Sequence, residues 1–338
     1  MLDPLWIFPL SFFISLTICI LLLPHYIRKA HAVDMVGVDL HKVGKPEIAE
    51  SGGIILMLAY LLGLFIFIPI LYEPSTNIYT EEMIKIVGTA ATVLFSTFIG
   101  LVDDIYEIRW RIKALTPMLG GVPLAVMQLG RPSISTPFSA PFDVLDFALF
   151  GVFGLVFFYA FVVPFIVSAC ANAVNMLAGL NGLEAGSTLI IVSALTMLSV
   201  LQEKTEGLII LIPFLGALIA FLYYNKYPSR VFPGDVGTLG MGSVIACVAV
   251  LAHLERAVFI MFLPHTINAA LFFIGKLKGK APPRKGPMNP DGTIPCPTKW
   301  SLRCLILQNH PMREKTLTYV MWAIIALFAV MGMFVYGL

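Results

Sequence analysis

Charge is what this sequence has least of. Of 338 residues, 12% are Asp, Glu, Lys or Arg and 58% are hydrophobic. Soluble domains carry about 25% charged residues. A large soluble core cannot explain the shortfall, because its surface would still need charge, so lipid must be the solvent for much of this chain. The net charge of +2 is too small to hold nucleic acid. Cysteine is sparse as well. Cys19, Cys170, Cys247, Cys296 and Cys304 form no C-x-x-C pair, and three of them lie in apolar runs, where a thiol behaves as a small hydrophobe. Neither a disulfide scaffold nor a zinc site is expected. The features of a cleavable leader are missing: only Asp3 precedes the first apolar run, with no basic n-region and no A-x-A site after it. No internal repeat is found, which leaves an inverted-repeat transporter with little support.

What the sequence does have is long apolar runs. A hydrocarbon core takes about 20 apolar residues per helix. Ten runs qualify, near 5–27, 52–72, 83–102, 113–130, 146–171, 186–201, 207–224, 236–252, 257–275 and 317–337. The expected fold is all-α, a polytopic membrane protein of about ten transmembrane helices in one domain, 1–338. With both termini outside, the inner loops hold all of the 22 Lys and Arg except Lys85, Arg131, Lys204 and Arg256. The positive-inside rule selects that orientation. The last inner loop, 276–316, is basic and rich in Pro and Gly, and reads equally as a tether or a substrate lid.

Three polar segments fall on the inner side of this topology. Asp103 and Asp104 end the third run, where adjacent carboxylates face the negative end of a helix dipole. Arg109, Arg111 and Lys113 follow at once. The group reads either as an interfacial salt-bridge cluster or as a site for a divalent metal and phosphate. Asn172 and Asn175 share one helical face, with Asn181 and Glu184 close behind. Amides in a membrane either bond between helices or supply oxygen to a hard cation. Asp235 stands at the start of the eighth run, where it is an N-cap or a metal ligand. Phe232 is an interface anchor or a stacking face for a base. Convergence on one side favours the chemical reading: two acidic sites, an amide cluster and basic loops suit a magnesium-bound diphosphate.

These segments resemble the polyprenyl-phosphate N-acetylhexosamine-1-phosphate transferase superfamily. They are most similar to the archaeal and eukaryotic UDP-GlcNAc–dolichyl-phosphate GlcNAc-1-phosphotransferases. The matching stretches are Asp39-Leu-His-Lys42, Glu50-Ser-Gly, Val102-Asp-Asp, Arg109-Trp-Arg-Ile-Lys113, Asn172 through Gly186, Tyr227-Pro-Ser-Arg-Val-Phe232 with Gly234-Asp235, and Arg313-Glu-Lys-Thr-Leu317. They run in family order over nearly the whole chain.

The resemblance implies a ten-helix enzyme with its active site on the cytoplasmic face. Asn175 and Asp235 would ligate Mg2+, with Mn2+ as a substitute. Asp103 and Asp104 match the family's catalytic Asp pair, and Lys113 its lipid-phosphate contact, with Asn172 bordering the lipid phosphate. Asn181 would meet uracil and Phe232 would stack on it, with Asp39, Leu40 and Glu50 around the uridine pocket. In the last loop the family's basic motif is replaced by Pro283-Arg-Lys-Gly286, making Arg284, then Lys285, the sugar or diphosphate candidates.

The implied reaction moves a sugar-1-phosphate, GlcNAc-1-phosphate first among the donors, from a UDP-sugar to a polyprenyl (dolichyl-type) phosphate and releases UMP. That is the first step of lipid-linked oligosaccharide synthesis for N-glycosylation. The same chemistry with another UDP-HexNAc would serve cell-wall or surface glycans. A secondary transporter of an anion is the reading from another class. The implied partners are the UDP-sugar, the lipid phosphate, membrane lipid and a second copy in a homodimer. The compact last loop points to a prokaryotic, archaeal plasma membrane.

Overall fold

The computed structural model describes residues 5–42, 44–71, 81–135, 144–280, 288–296 and 298–337. In chain order, α1 (Ile7–Ala32) leads into a hairpin of β1 (Val36–Val38) and β2 (Glu47–Ala49). Then come α2 (Gly53–Phe65), α3 (Ile68–Leu71), α4 (Glu81–Tyr106), α5 (Trp110–Lys113), a 3-10 stretch (Thr116–Gly121) and α6 (Val122–Val126). A second hairpin, β3 (Ser133–Ser135) with β4 (Val144–Asp146), precedes α7 (Gly151–Phe157) and α8 (Val163–Leu177). The chain closes with α9 (Leu183–Leu201), α10 (Thr205–Asn225), α11 (Gly234–Leu251), α12 (Glu255–Met261), α13 (Leu263–Leu277), α14 (Leu302–Asn309) and α15 (Glu314–Gly337).

Among the described residues, seven helices are long and apolar enough to cross a membrane. The bent pair α12 and α13, at 59° to each other, would make an eighth. The protein is therefore a largely helical, multi-spanning membrane protein. Two of the ten apolar runs do not form long helices. The run near 52–72 stops at Phe65, short of Pro69. The run near 113–130 breaks into α5, the 3-10 stretch and α6, because Pro117 and Pro123 each remove a backbone donor and Gly120 and Gly121 lower helix propensity. In the other direction, 147–177 is one continuous 31-residue span carrying a π turn at Phe158–Val162. The two small hairpins also depart from an all-α reading.

The helix at the centre is α11. Every residue from Val236 to Leu251 is buried, with α4, α8, α2 and α10 packed around it. Lipid gives helices no hydrophobic reason to associate, so close packing through small residues has to do it. Gly100 of α4 is one such point: a Cβ there would lie 2.4 Å from the Asp235 carbonyl oxygen. This contact brings the C-terminal end of α4 onto the N-terminal end of α11.

Candidate active site

The polar segments meet at one end of the bundle. Gly234 opens α11 with φ +66°, a left-handed conformation suited to glycine. A Cβ there would also reach within 2.4 Å of Asp104 Oδ2. The Asp104 carboxylate thereby sits on the start of α11. It accepts from the main-chain N–H of Asp235 (2.7 Å) and of Val236 (3.2 Å), and from Ser51 Oγ (2.8 Å). The cap of α11 is thus supplied by another helix. The N-cap position itself is Pro233, so the reading of Asp235 as a local N-cap is corrected.

Freed from capping, the Asp235 side chain turns to the partners of a charged site. Its Oδ2 pairs with Lys113 Nζ and its Oδ1 accepts from Asn175 Nδ2. The same Lys113 ammonium pairs with Asp103 Oδ2, while Asp103 Oδ1 accepts from Ile108 N–H at 2.9 Å. Asn175 Nδ2 also reaches Thr238 Oγ1 at 2.8 Å. One ammonium thus lies between two carboxylates from helices distant in sequence. The Asp235 side chain is 24% exposed, open enough to meet a ligand, while that of Asp103 is 3% exposed.

A second constellation lies alongside. The Asn181 side-chain oxygen accepts from Lys42 Nζ and from Ser229 N–H (2.7 Å), and its Nδ2 donates to Asp39 Oδ2 (3.1 Å). Lys42 pairs with Asp39 and with Glu314 (3.4 Å), and its ammonium stands 4.5 Å from the centre of the Tyr227 ring. The stretch from Ser229 to Asp235 joins the two groups. It is held by Ala49, which bridges to Val231 and accepts Phe232 N–H at 2.8 Å.

Residues 86–253 match glycosyl transferase family 4. Over 326 residues the chain is 30% identical to a Saccharolobus solfataricus protein, covering 96% of this chain and 94% of that one. That relative is provisionally described as a UDP-N-acetylglucosamine–dolichyl-phosphate N-acetylglucosaminephosphotransferase. This chain belongs to glycosyl transferase family 4. A Dictyostelium discoideum UDP-N-acetylglucosamine–dolichyl-phosphate N-acetylglucosaminephosphotransferase is 29% identical over 77% of this chain and 70% of its own. A Streptococcus uberis phospho-N-acetylmuramoyl-pentapeptide-transferase is 27% identical over 76% of each.

In this family 4 chain the other expected residues divide. Asn172 is engaged within the protein: its Nδ2 donates to the Ala114 carbonyl (3.1 Å) and the Ser168 carbonyl (3.0 Å), fixing the residue next to Lys113. Leu40 and Phe232 are half-buried. The Glu50 side chain flanks Gly37 within the first hairpin, and its carbonyl accepts from Tyr26 OH at 2.6 Å. Arg284 and Lys285 lie outside the described residues.

Other residues hold the site or the elements around it. Lys42 and Glu314 lie in quoted motifs, and that membership was the only signal for them. Asn268 had no signal. It donates to the Met176 carbonyl (2.8 Å) and accepts Leu302 N–H (3.0 Å), tying the end of α8 to α14. Glu184 is buried and accepts Gly179 N–H at 2.9 Å. Cys296 and Cys304 form a disulfide, a correction to the cysteine reading. Spacing gave no pairing cue, and the turn into α14 brings the two Cα atoms to 5.2 Å.

Among the described residues no three His, Cys, Asp or Glu side chains are set to hold a metal. The donor set nevertheless fits Mg2+, which takes oxygen and is commonly bound by one or two carboxylates plus substrate phosphates. Asp235 and the amide of Asn175 adjoin each other, and Asp235 is partly open.

Proposed function

We propose that this protein transfers an N-acetylhexosamine-1-phosphate, GlcNAc-1-phosphate first among the candidates, from a UDP-sugar to a polyprenyl phosphate of the dolichyl type, releasing UMP. The site would face the cytoplasm of a prokaryotic cell, at the inner end of the helical bundle with both termini outside. The observation that carries this reading is the meeting of Asp103, Lys113, Asn175 and Asp235 at one end of the bundle, beside the Asn181 constellation. An anion transporter would set its ionisable groups near the bilayer midplane. These stand at helix ends.

In the reaction a lipid-phosphate oxygen attacks the β-phosphorus of the UDP-sugar. A P–O bond forms there, and the bond from that phosphorus to the bridging oxygen breaks, leaving UMP. Such transfers rest on positioning and on neutralising charge. Mg2+, held by Asn175 and Asp235, would supply neutralisation of the diphosphate. Lys113 can turn its ammonium from the two carboxylates to the incoming lipid phosphate. Asp103, paired with Lys113, would compensate that ammonium between turnovers and accept a proton if the lipid phosphate carries one. Asp104 serves the site by fixing the start of α11, which carries Asp235. Asn172 does the same for Lys113 through Ala114.

The test is incubation of the purified protein with UDP-GlcNAc, dolichyl phosphate and Mg2+, reading lipid-linked GlcNAc diphosphate and UMP by mass spectrometry. A panel of other UDP-HexNAc donors in parallel identifies the sugar. Absence of lipid-linked product with every donor would sink the proposal.

A further inference from the structure

The last long helix reaches back to the turn that presents Asn181. Along α15, Glu314, Leu317, Thr318, Met321, Ile325 and Ala329 are buried, a spacing of threes and fours that makes one face. At its start that face is polar. Glu314 Oε1 accepts the main-chain N–H of Asn181 at 2.7 Å, and one turn on Thr318 Oγ1 donates to the Asn181 carbonyl at 3.5 Å. Both backbone groups of Asn181 are thus held by α15. The second oxygen of Glu314 meets Lys42, which itself bonds the Asn181 side chain.

The make-up of this cluster says what it can receive. The carboxylates of Asp39 and Glu314 are paired with the Lys42 ammonium, and Arg303 stands close enough to act on His41 and Glu184 beside them. Together with the Asn181 amide these groups suit a base that offers both donor and acceptor groups. The diphosphate belongs beside Lys113.

On the nucleotide reading proposed above, we infer that Glu314 is a positioning residue of the uridine pocket. It holds the Asn181 main chain, and with it the amide that meets the base, in the geometry that binds the donor. It touches neither the reacting phosphorus nor the lipid phosphate. Its effect therefore falls on donor affinity and leaves the chemical step and the acceptor alone. Reach matters more than charge in this role, since a neutral amide oxygen also accepts an N–H.

The full chain in detergent provides the test, with UMP binding by titration calorimetry and steady-state transfer from UDP-GlcNAc to dolichyl phosphate. Glu314→Asp keeps the charge but is too short to hold the Asn181 N–H. It is expected to raise the UMP Kd and the UDP-GlcNAc KM at least fivefold, with kcat and the dolichyl-phosphate KM within about twofold of wild type. Glu314→Gln keeps the reach and is expected within about threefold of wild type throughout. Gln impaired as much as Asp, or losses spread equally over kcat and both KM values, would overturn the inference. If wild type binds UMP and both variants match it, the inference falls and the nucleotide reading stands. If wild type binds no UMP, the nucleotide reading fails and takes the inference with it.

Discussion

The Asp104 carboxylate accepts the main-chain N–H of Asp235 at 2.7 Å, so one acidic residue of the site is the cap for the helix that carries another. Removing it leaves two N–H groups at a buried helix start without their acceptor. Asp104→Ala is expected to cost about 2 kcal/mol, in the range of hydrogen bonds to charged groups. A thermal melt in detergent reads this as a lower apparent Tm, and an unchanged Tm would remove the capping role.

Asp235 and Asn175 touch each other and are the proposed holders of the divalent ion. Asp235→Ala and Asn175→Ala are expected to reduce transfer at least a hundredfold at wild-type folding, and a milder Asp235→Asn should raise the Mg2+ needed for half-maximal rate. Normal turnover in both alanine variants would refute the metal assignment.

Lys113 stands between Asp103 and Asp235. Lys113→Glu places a third carboxylate among them and is expected to abolish measurable transfer. Lys113→Met is expected to raise the dolichyl-phosphate KM more than the UDP-GlcNAc KM. The opposite ranking in steady-state kinetics would contradict the assignment of the ammonium to the lipid phosphate.

Gly100 lets α4 lie against the Asp235 carbonyl. Gly100→Ala would put a methyl 2.4 Å from that backbone oxygen, and backbone has little room to yield. Overpacking of this kind costs about 1–3 kcal/mol. The expected result is a lower Tm together with reduced transfer, because the same shift parts Asp103 from Asp235. Wild-type values for both would show that the helices can separate without consequence.

His41 gives a pH dependence. Burial, and next the nearby Arg303, hold its imidazole below the ordinary 6.5, with Asp39 opposing. The folded chain then binds fewer protons than the unfolded chain as pH falls. Stability is fully present above about pH 6.5 and is lost as pH drops towards the folded value. His41→Gln should flatten the fall in Tm as pH drops below 6.5. Equal slopes in variant and wild type would discard this.

Much of the candidate constellation was legible because polar residues stand out in an apolar sequence. Asp103, Asn175 and Asp235 needed only hydropathy and basic-residue bias to be put on one side, and they meet. Hydropathy alone could not see where a run breaks. The stretch 113–130 is apolar enough for a span, yet Pro117 and Pro123 interrupt it. Local capping rules offered Asp235 as the cap of its own helix, one of two readings, whereas the acceptor comes from Asp104 on α4, a relation only tertiary packing creates. The same holds for Glu314 with Asn181 and Asn268 with Met176 and Leu302, which are far apart in sequence.

The grip of Glu314 on Asn181 also bears on how the protein comes into being. The pocket is begun by Asp39 and Lys42, just after the first span, and is closed by α15, which follows every other described element. A nascent chain whose α15 has not yet entered the membrane therefore lacks the contacts that hold the Asn181 main chain from that side. The turn that presents Asn181 is thus completed last, by the helix that begins at Glu314.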